Sequence, residues 1–67
     1  MKKSGIYQIV NKVNGKFYIG SSVNLTWRKT KHFTELRNQK HHSIILQKAF
    51  NKYNEDNFEF KILANAL

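Results

Sequence analysis

The sequence predicts a small α+β domain: a three-stranded, mostly antiparallel sheet packed with two helices in the order β-β-α-α-β. Three observations predict it. An Asn14-Gly15 pair sits between two β-branched, aromatic segments, the strongest short-range signal for a β-hairpin. Two stretches with apolar residues at helical spacing follow. A last alternating run, FEFKIL, reads as a strand with one buried face.

Ser4–Asn11 (SGIYQIVN) is the first strand and residues 16–21 (KFYIGS) the second. A type I′ turn at Asn14-Gly15 needs φ > 0 at both central positions, which these residues tolerate best. Such a turn pairs Val13 with Lys16. Ile6 and Val10 then share a face with Phe17 and Ile19, while Tyr7, Tyr18 and Gly20 fall on the other. A change of one residue in the turn would break that arrangement. Taken alone, a strand tyrosine is usually half-buried packing; these two stand out because they pair on one face. Gly20 either lets another backbone or a phosphate approach closely or relieves crowding at the strand end.

Asn24 is placed to cap a helix over residues 25–36, its side chain accepting an orphan amide of the first turn. Leu25, Phe33 and Leu36, with Trp27 or the stem of Lys29 between them, form its apolar stripe; packing is the preferred role for Trp27 over base stacking. Arg28 and His32 lie four apart and so on one face. Residues 37–41 form a polar, basic connection. A second helix runs from about 42 to 54, with Leu46, Ala49, Phe50 and Tyr53 at helical spacing. Residues 54–57 are turn-like. Phe58, Phe60 and Ile62 then share one face of the third strand, over residues 58–63.

With 67 residues the chain is one domain at most, and its core is marginal. No cysteine is present, which removes disulfide staples and thiolate metal sites and suits an intracellular setting, cytoplasm or organelle matrix. The aromatics Tyr7, Phe17, Tyr18, Trp27, Phe33, Phe50, Tyr53, Phe58 and Phe60 must supply much of the core. The net charge is +8 and the pI about 10.1. A balance that basic favours a polyanionic partner, because each cation that neutralises a phosphate also releases counterions. Apolar runs fall far short of the roughly 20 residues that span a bilayer, so no membrane partner is expected. Basic Met1-Lys2-Lys3 leads into no apolar signal region.

Gly5-Ile6-Tyr7 and Tyr18-Ile19-Gly20 are the pair of tripeptides that names the GIY-YIG nucleases, which this sequence resembles. The likeness continues through residues 24–33 (NLTWRKTKHF), similar to the family's first helix with its arginine and histidine. It extends to residues 41–50 (HHSIILQKAF), similar to the histidine-led second helix of intron-encoded homing endonucleases. The resemblance implies hydrolysis of a phosphodiester in double-stranded DNA with one divalent metal, magnesium or manganese, and no small-molecule cofactor. Phage- or intron-encoded origin would fit.

The resemblance also implies roles. Tyr18 or Tyr7 would help deprotonate the attacking water, Arg28 would brace the phosphate, and His32 would hydrogen-bond or relay protons near Tyr18. His41 matches a further functional position. A tyrosine with a reference pKa near 10 is a poor base at neutral pH unless cations lower it, as Arg28 with His32 could. Lys29, Lys31, Arg37 and Lys40 read equally as a solvated basic face and as phosphate-contacting surface.

The family's metal is held by a glutamate on a third helix, and the sequence stops before that helix. Residues 1–67 are thus expected to be a C-terminally incomplete catalytic domain, weak or inactive alone. Glu35, Glu55, Asp56 and Glu59 do not match the missing position. His32, His41 and His42 have no acidic or cysteine partner at ligand spacing, so no metal ligand is assigned. The alternatives are a non-catalytic basic nucleic-acid-binding module and a decayed fragment of a homing endonuclease. One sheet face is left without a covering helix, which invites self-association.

Overall fold

The computed structural model describes residues 3–66; Met1, Lys2 and Leu67, at the two ends read above, lie outside the described residues. The elements are β1 (Ser4–Asn11), β2 (Phe17–Ser22), α1 (Leu25–Arg37), α2 (Ile44–Tyr53), a single 3-10 turn (Glu55–Asn57) and β3 (Phe58–Ala66). The sheet is antiparallel throughout, in the order β2-β1-β3. The α+β arrangement expected from the sequence is the one that forms.

The hairpin keeps the predicted faces but not the predicted turn. Tyr7 stands opposite Gly20 and Val10 opposite Phe17, where a two-residue turn would set Val10 against Ile19. The loop has four residues, and only Gly15 among them has positive φ, at 76°. Two asparagine side chains build it: Asn11 Oδ1 accepts the Val13 amide at 2.9 Å and Asn14 Oδ1 accepts the Lys16 amide at 2.9 Å. These local bonds offer the backbone an alternative to the tighter turn. The register moves by two positions, and a shift of two leaves every side chain on its face.

Tyr7 and Ile9 point into the core with Phe58, and Phe60 packs against them from the same face of β3. Leu25, His32, Phe33 and Leu36 of α1 and Leu46 and Phe50 of α2 close over them. The opposite face leaves Ile6, Phe17 and Ile19 about half exposed, as expected of a face without a covering helix. β3 runs three residues beyond its predicted end, with a register shift between Ile6 and Tyr7. Beside that irregularity β3 presses on Gly5, where a Cβ would collide with the Ala64 carbonyl.

Two expectations about packing fail. Trp27 is 52% exposed and Phe17 59%, so neither belongs to the core. His32 fills the α1 stripe position that Trp27 or Lys29 was expected to supply. The second helix begins two residues later than predicted, because Ser43 caps it by accepting the Leu46 amide. His41 and His42 therefore lie in the connection, not on the helix. Gln47 fixes that connection: its Oε1 accepts the His41 amide at 3.2 Å and its Nε2 donates to the Leu36 carbonyl at 2.9 Å.

Candidate active site

Tyr7 enters the site from the middle of β1, with 2% of its surface exposed. Its ring stacks on Phe60 at 4.9 Å, and its hydroxyl is 2.6 Å from His32 Nε2. His32 Nδ1 lies 2.7 Å from His41 Nε2, and His41 Nδ1 accepts the Ser43 amide at 3.0 Å. Both histidines are buried. Tyr18, on β2 beside Tyr7, turns its edge to His32 at 5.5 Å and makes its hydroxyl contact elsewhere, 3.1 Å from His42 Nε2. The His32 hydroxyl partner is thus Tyr7, where Tyr18 was expected.

Gly20 is explained by the same geometry. A Cβ there would stand 2.5 Å from Tyr7 Cζ and closer still to the hydroxyl. The group that needs the space is the protein's own tyrosine.

The Ser43 amide sets the direction of the buried chain. An amide can only donate, so His41 Nδ1 is the acceptor and a neutral His41 carries its proton on Nε2. That N–H donates to His32 Nδ1, which leaves the His32 proton on Nε2, donating to Tyr7 Oη. Burial and the neighbouring cations keep both rings neutral. Burial, then His41, Arg28, His42 and Lys31 push His32 down to about 4. Burial and His42 lower His41, against an opposing pull from Glu35 and the Ser43 contact. Tyr7 moves up from its usual value: burial raises it first, Tyr18 adds to this, and Arg28 only partly offsets them. The expectation that Arg28 and His32 lower the tyrosine fails for Tyr7, because desolvation penalises its charged form more than one cation helps.

Arg28 is half-buried, close enough to act on both Tyr7 and His32. Its Nε is buried with no hydrogen-bond partner. A guanidinium held this way is ready for an oxyanion. Among the basic residues, Lys31 lies over Trp27 at 5.0 Å and Arg28 over the same ring at 5.3 Å. Arg37 forms a two-point ion pair with Glu55, at 2.7 and 2.6 Å, and shares a groove with Lys29, Glu55, Asp56 and Glu59. That pair accounts for the raised Arg37 and lowered Glu55 pKa values. Lys40 lies in the α1–α2 connection, its amide bonded to the Glu35 carbonyl. Of the four, Lys29 and Arg37 thus line one groove, while Lys31 lies over Trp27.

One pairing was not foreseen. Glu35 follows His32 by one helical turn, and His32, Glu35 and His41 offer ligand atoms within 4.8 Å of one another. The expectation that no acid accompanies the histidines is corrected by this geometry. Two imidazoles and one carboxylate do not suit magnesium, a hard cation that wants oxygen donors. The His32 and His41 nitrogens that face each other are also already bonded. Among the described residues no oxygen cage fits magnesium. His42 is the other residue missed; its signal was Ser43, whose cap fixes the connection that carries it.

The model of the GIY-YIG catalytic domain matches residues 3–64. The chain belongs to the GIY-YIG family. It is 48% identical over 61 residues to "Intron-associated endonuclease 1" of Enterobacteria phage T4, covering 91% of this chain and 24% of that protein. It is 47% identical over 60 residues to "Probable intron-encoded endonuclease 1" of Neurospora crassa, covering 90% of this chain and 18% of that protein. The chain thus spans a quarter or less of these relatives. The solved catalytic domain of the homing endonuclease I-TevI superposes with a TM-score of 0.91 at 44% identity, over 96% of this chain and 68% of the other. A glutamate-to-alanine variant of that domain gives 0.89 at 45% identity, over 96% and 65%. The GIY-YIG tripeptides therefore sit in this chain on the fold that the family shares. No helix among the described residues is long and apolar enough to cross a membrane.

Proposed function

We propose that this domain is the catalytic domain of a GIY-YIG endonuclease of the intron-homing type, a phosphodiester hydrolase acting on double-stranded DNA. The observation that carries the reading is convergence. Tyr7, Tyr18, Arg28, His32 and His41 come from two strands, one helix and one connection, yet their rings and charges meet around one point. Arg28 would bind a phosphate oxygen and stay charged as the pentavalent state forms. Tyr18 would help deprotonate the attacking water, and Tyr7, held by His32, would position it. A divalent metal, magnesium or manganese, would supply Lewis-acid stabilisation of the developing charge. Among the described residues Glu35 is the one carboxylate grouped with the histidines, too few oxygen donors for magnesium, so weak cleavage by this chain is expected.

The test is incubation of the chain with supercoiled plasmid and magnesium or manganese. Nicking that needs the metal and disappears in Arg28→Ala supports the reading; nicking unaffected by that change refutes it. The lack of an oxygen cage favours one second reading, a basic nucleic-acid-binding module that keeps the fold. That reading predicts salt-sensitive binding in EDTA, indifferent to Tyr7→Phe and Tyr18→Phe.

A further inference from the structure

We infer that His42 is the positioning partner of Tyr18 that takes up its proton and passes it to solvent, and that the buried His32–His41 pair cannot serve this purpose. The inference rests on the nuclease reading and adds a residue and a proton route to it.

The two tyrosines are wired differently. From Tyr7 the chain of hydrogen bonds runs through His32 and His41 and ends at the Ser43 amide. Every donor in it points toward Tyr7. For Tyr7 to hand its proton inward, His41 Nδ1 would have to release one in turn, and the amide it faces is already a donor. The alternative is an imidazolium at buried His32, which its surroundings disfavour. The buried pair therefore holds the Tyr7 oxygen as an acceptor and fixes its ring. It is closed as a proton exit.

Tyr18 has an open route. Its hydroxyl is 3.1 Å from His42 Nε2. His42 is exposed, and its ring stacks on His41 at 4.5 Å with 23° between planes. The stack holds the imidazole in place without a further hydrogen bond. In the reaction the Tyr18 oxygen takes one proton from water as its own moves to His42 Nε2. The hydroxide attacks phosphorus, the bond to the leaving oxygen breaks, and that oxygen takes a proton from solvent. His42 then loses its Nδ1 proton to solvent, and because the ring is exposed, proton exchange with solvent moves the remaining proton from Nε2 back to Nδ1, which restores both residues.

The experiment is a double-mutant cycle on metal-dependent plasmid nicking, with DNA affinity measured alongside. His42→Ala is expected to lower the cleavage rate by at least about tenfold, within the range of positioned proton transfer, with DNA affinity unchanged. Free imidazole should restore much of the rate, because the vacated position opens to solvent. In a Tyr18→Phe background the same change should have no further effect. Wild-type rate in His42→Ala, an equal loss in the Tyr18→Phe background, or failure of imidazole to rescue would each overturn the inference and leave the nuclease reading standing. The His42 ring nitrogen shifts give a readout without turnover: Tyr18→Phe should move the Nε2 resonance, and an unmoved resonance overturns the inference. A wild-type chain that nicks nothing under any metal sinks the nuclease reading and the role of His42 with it.

Discussion

Gly20→Ala probes the centre of the site with one methyl group. Its Cβ would meet Tyr7 Cζ at 2.5 Å, so the ring must retreat by about 1 Å to reach ordinary contact. Tyr7 has nowhere to go: its ring stacks on Phe60 and its hydroxyl is held by His32. Overpacking of this kind costs roughly 1–3 kcal/mol. Stranding the His32 N–H, buried and without its acceptor, costs roughly another 1–3 kcal/mol. A loss of about 2–6 kcal/mol is expected, visible in urea or thermal unfolding as a fall in Tm of at least about 8 °C for so small a domain. A displacement of about 1 Å at a reacting group also costs on the order of a hundredfold in rate. Unfolding of Gly20→Ala beside wild type, with plasmid nicking at a temperature where both are folded, measures both effects. A variant with wild-type Tm would refute the reasoning, since Tyr7 would then not be pinned.

Three further predictions follow from the same contacts. His32 titrates at about 4 in the folded chain against 6.5 in the unfolded one, so as pH falls the unfolded chain takes the proton first. The stability this group contributes is complete above pH 6.5 and is lost as pH falls toward 4. That amounts to about 3 kcal/mol at most and about 2 kcal/mol with screening by nearby water; His32→Gln should flatten this part of a stability–pH curve. Arg28→Met should leave stability unchanged or slightly higher while abolishing nicking, because the Nε it removes is buried and unpartnered. Trp27→Ala should weaken DNA binding by releasing the two cations, Arg28 and Lys31, that lie over its exposed ring, with unfolding changed by less than about 0.5 kcal/mol.

Much of this site is legible in the sequence, and the reasons are local. Alternation along β1 and β2 puts Tyr7, Tyr18 and Gly20 on one face, and that survives a turn longer than Asn14-Gly15 suggests because the register moves by an even step. Helical spacing places Arg28 and His32 together. The 3-10 turn and the longer β3 are small departures. What could not be read depends on long-range contacts. Trp27 loses its expected place because His32, polar by composition, is buried by its bonds to Tyr7 and His41. The ion pair of Arg37 with Glu55 joins the end of α1 to the turn before β3. The division of labour between the histidines hangs on a backbone amide, Ser43, which carries no side-chain signal. The helix-capping preference of Ser43 was the one available clue.

The protonation of His32 and His41 decides how the site is wired, and long-range proton–nitrogen correlation of the imidazole rings at neutral pH reads it. Both are expected to be neutral and protonated on Nε2, with an unprotonated Nδ1 on each, so that the buried chain points toward Tyr7 and ends at Ser43. A proton on Nδ1 of either ring would contradict this wiring, by reopening the buried pair as the route for the tyrosine proton.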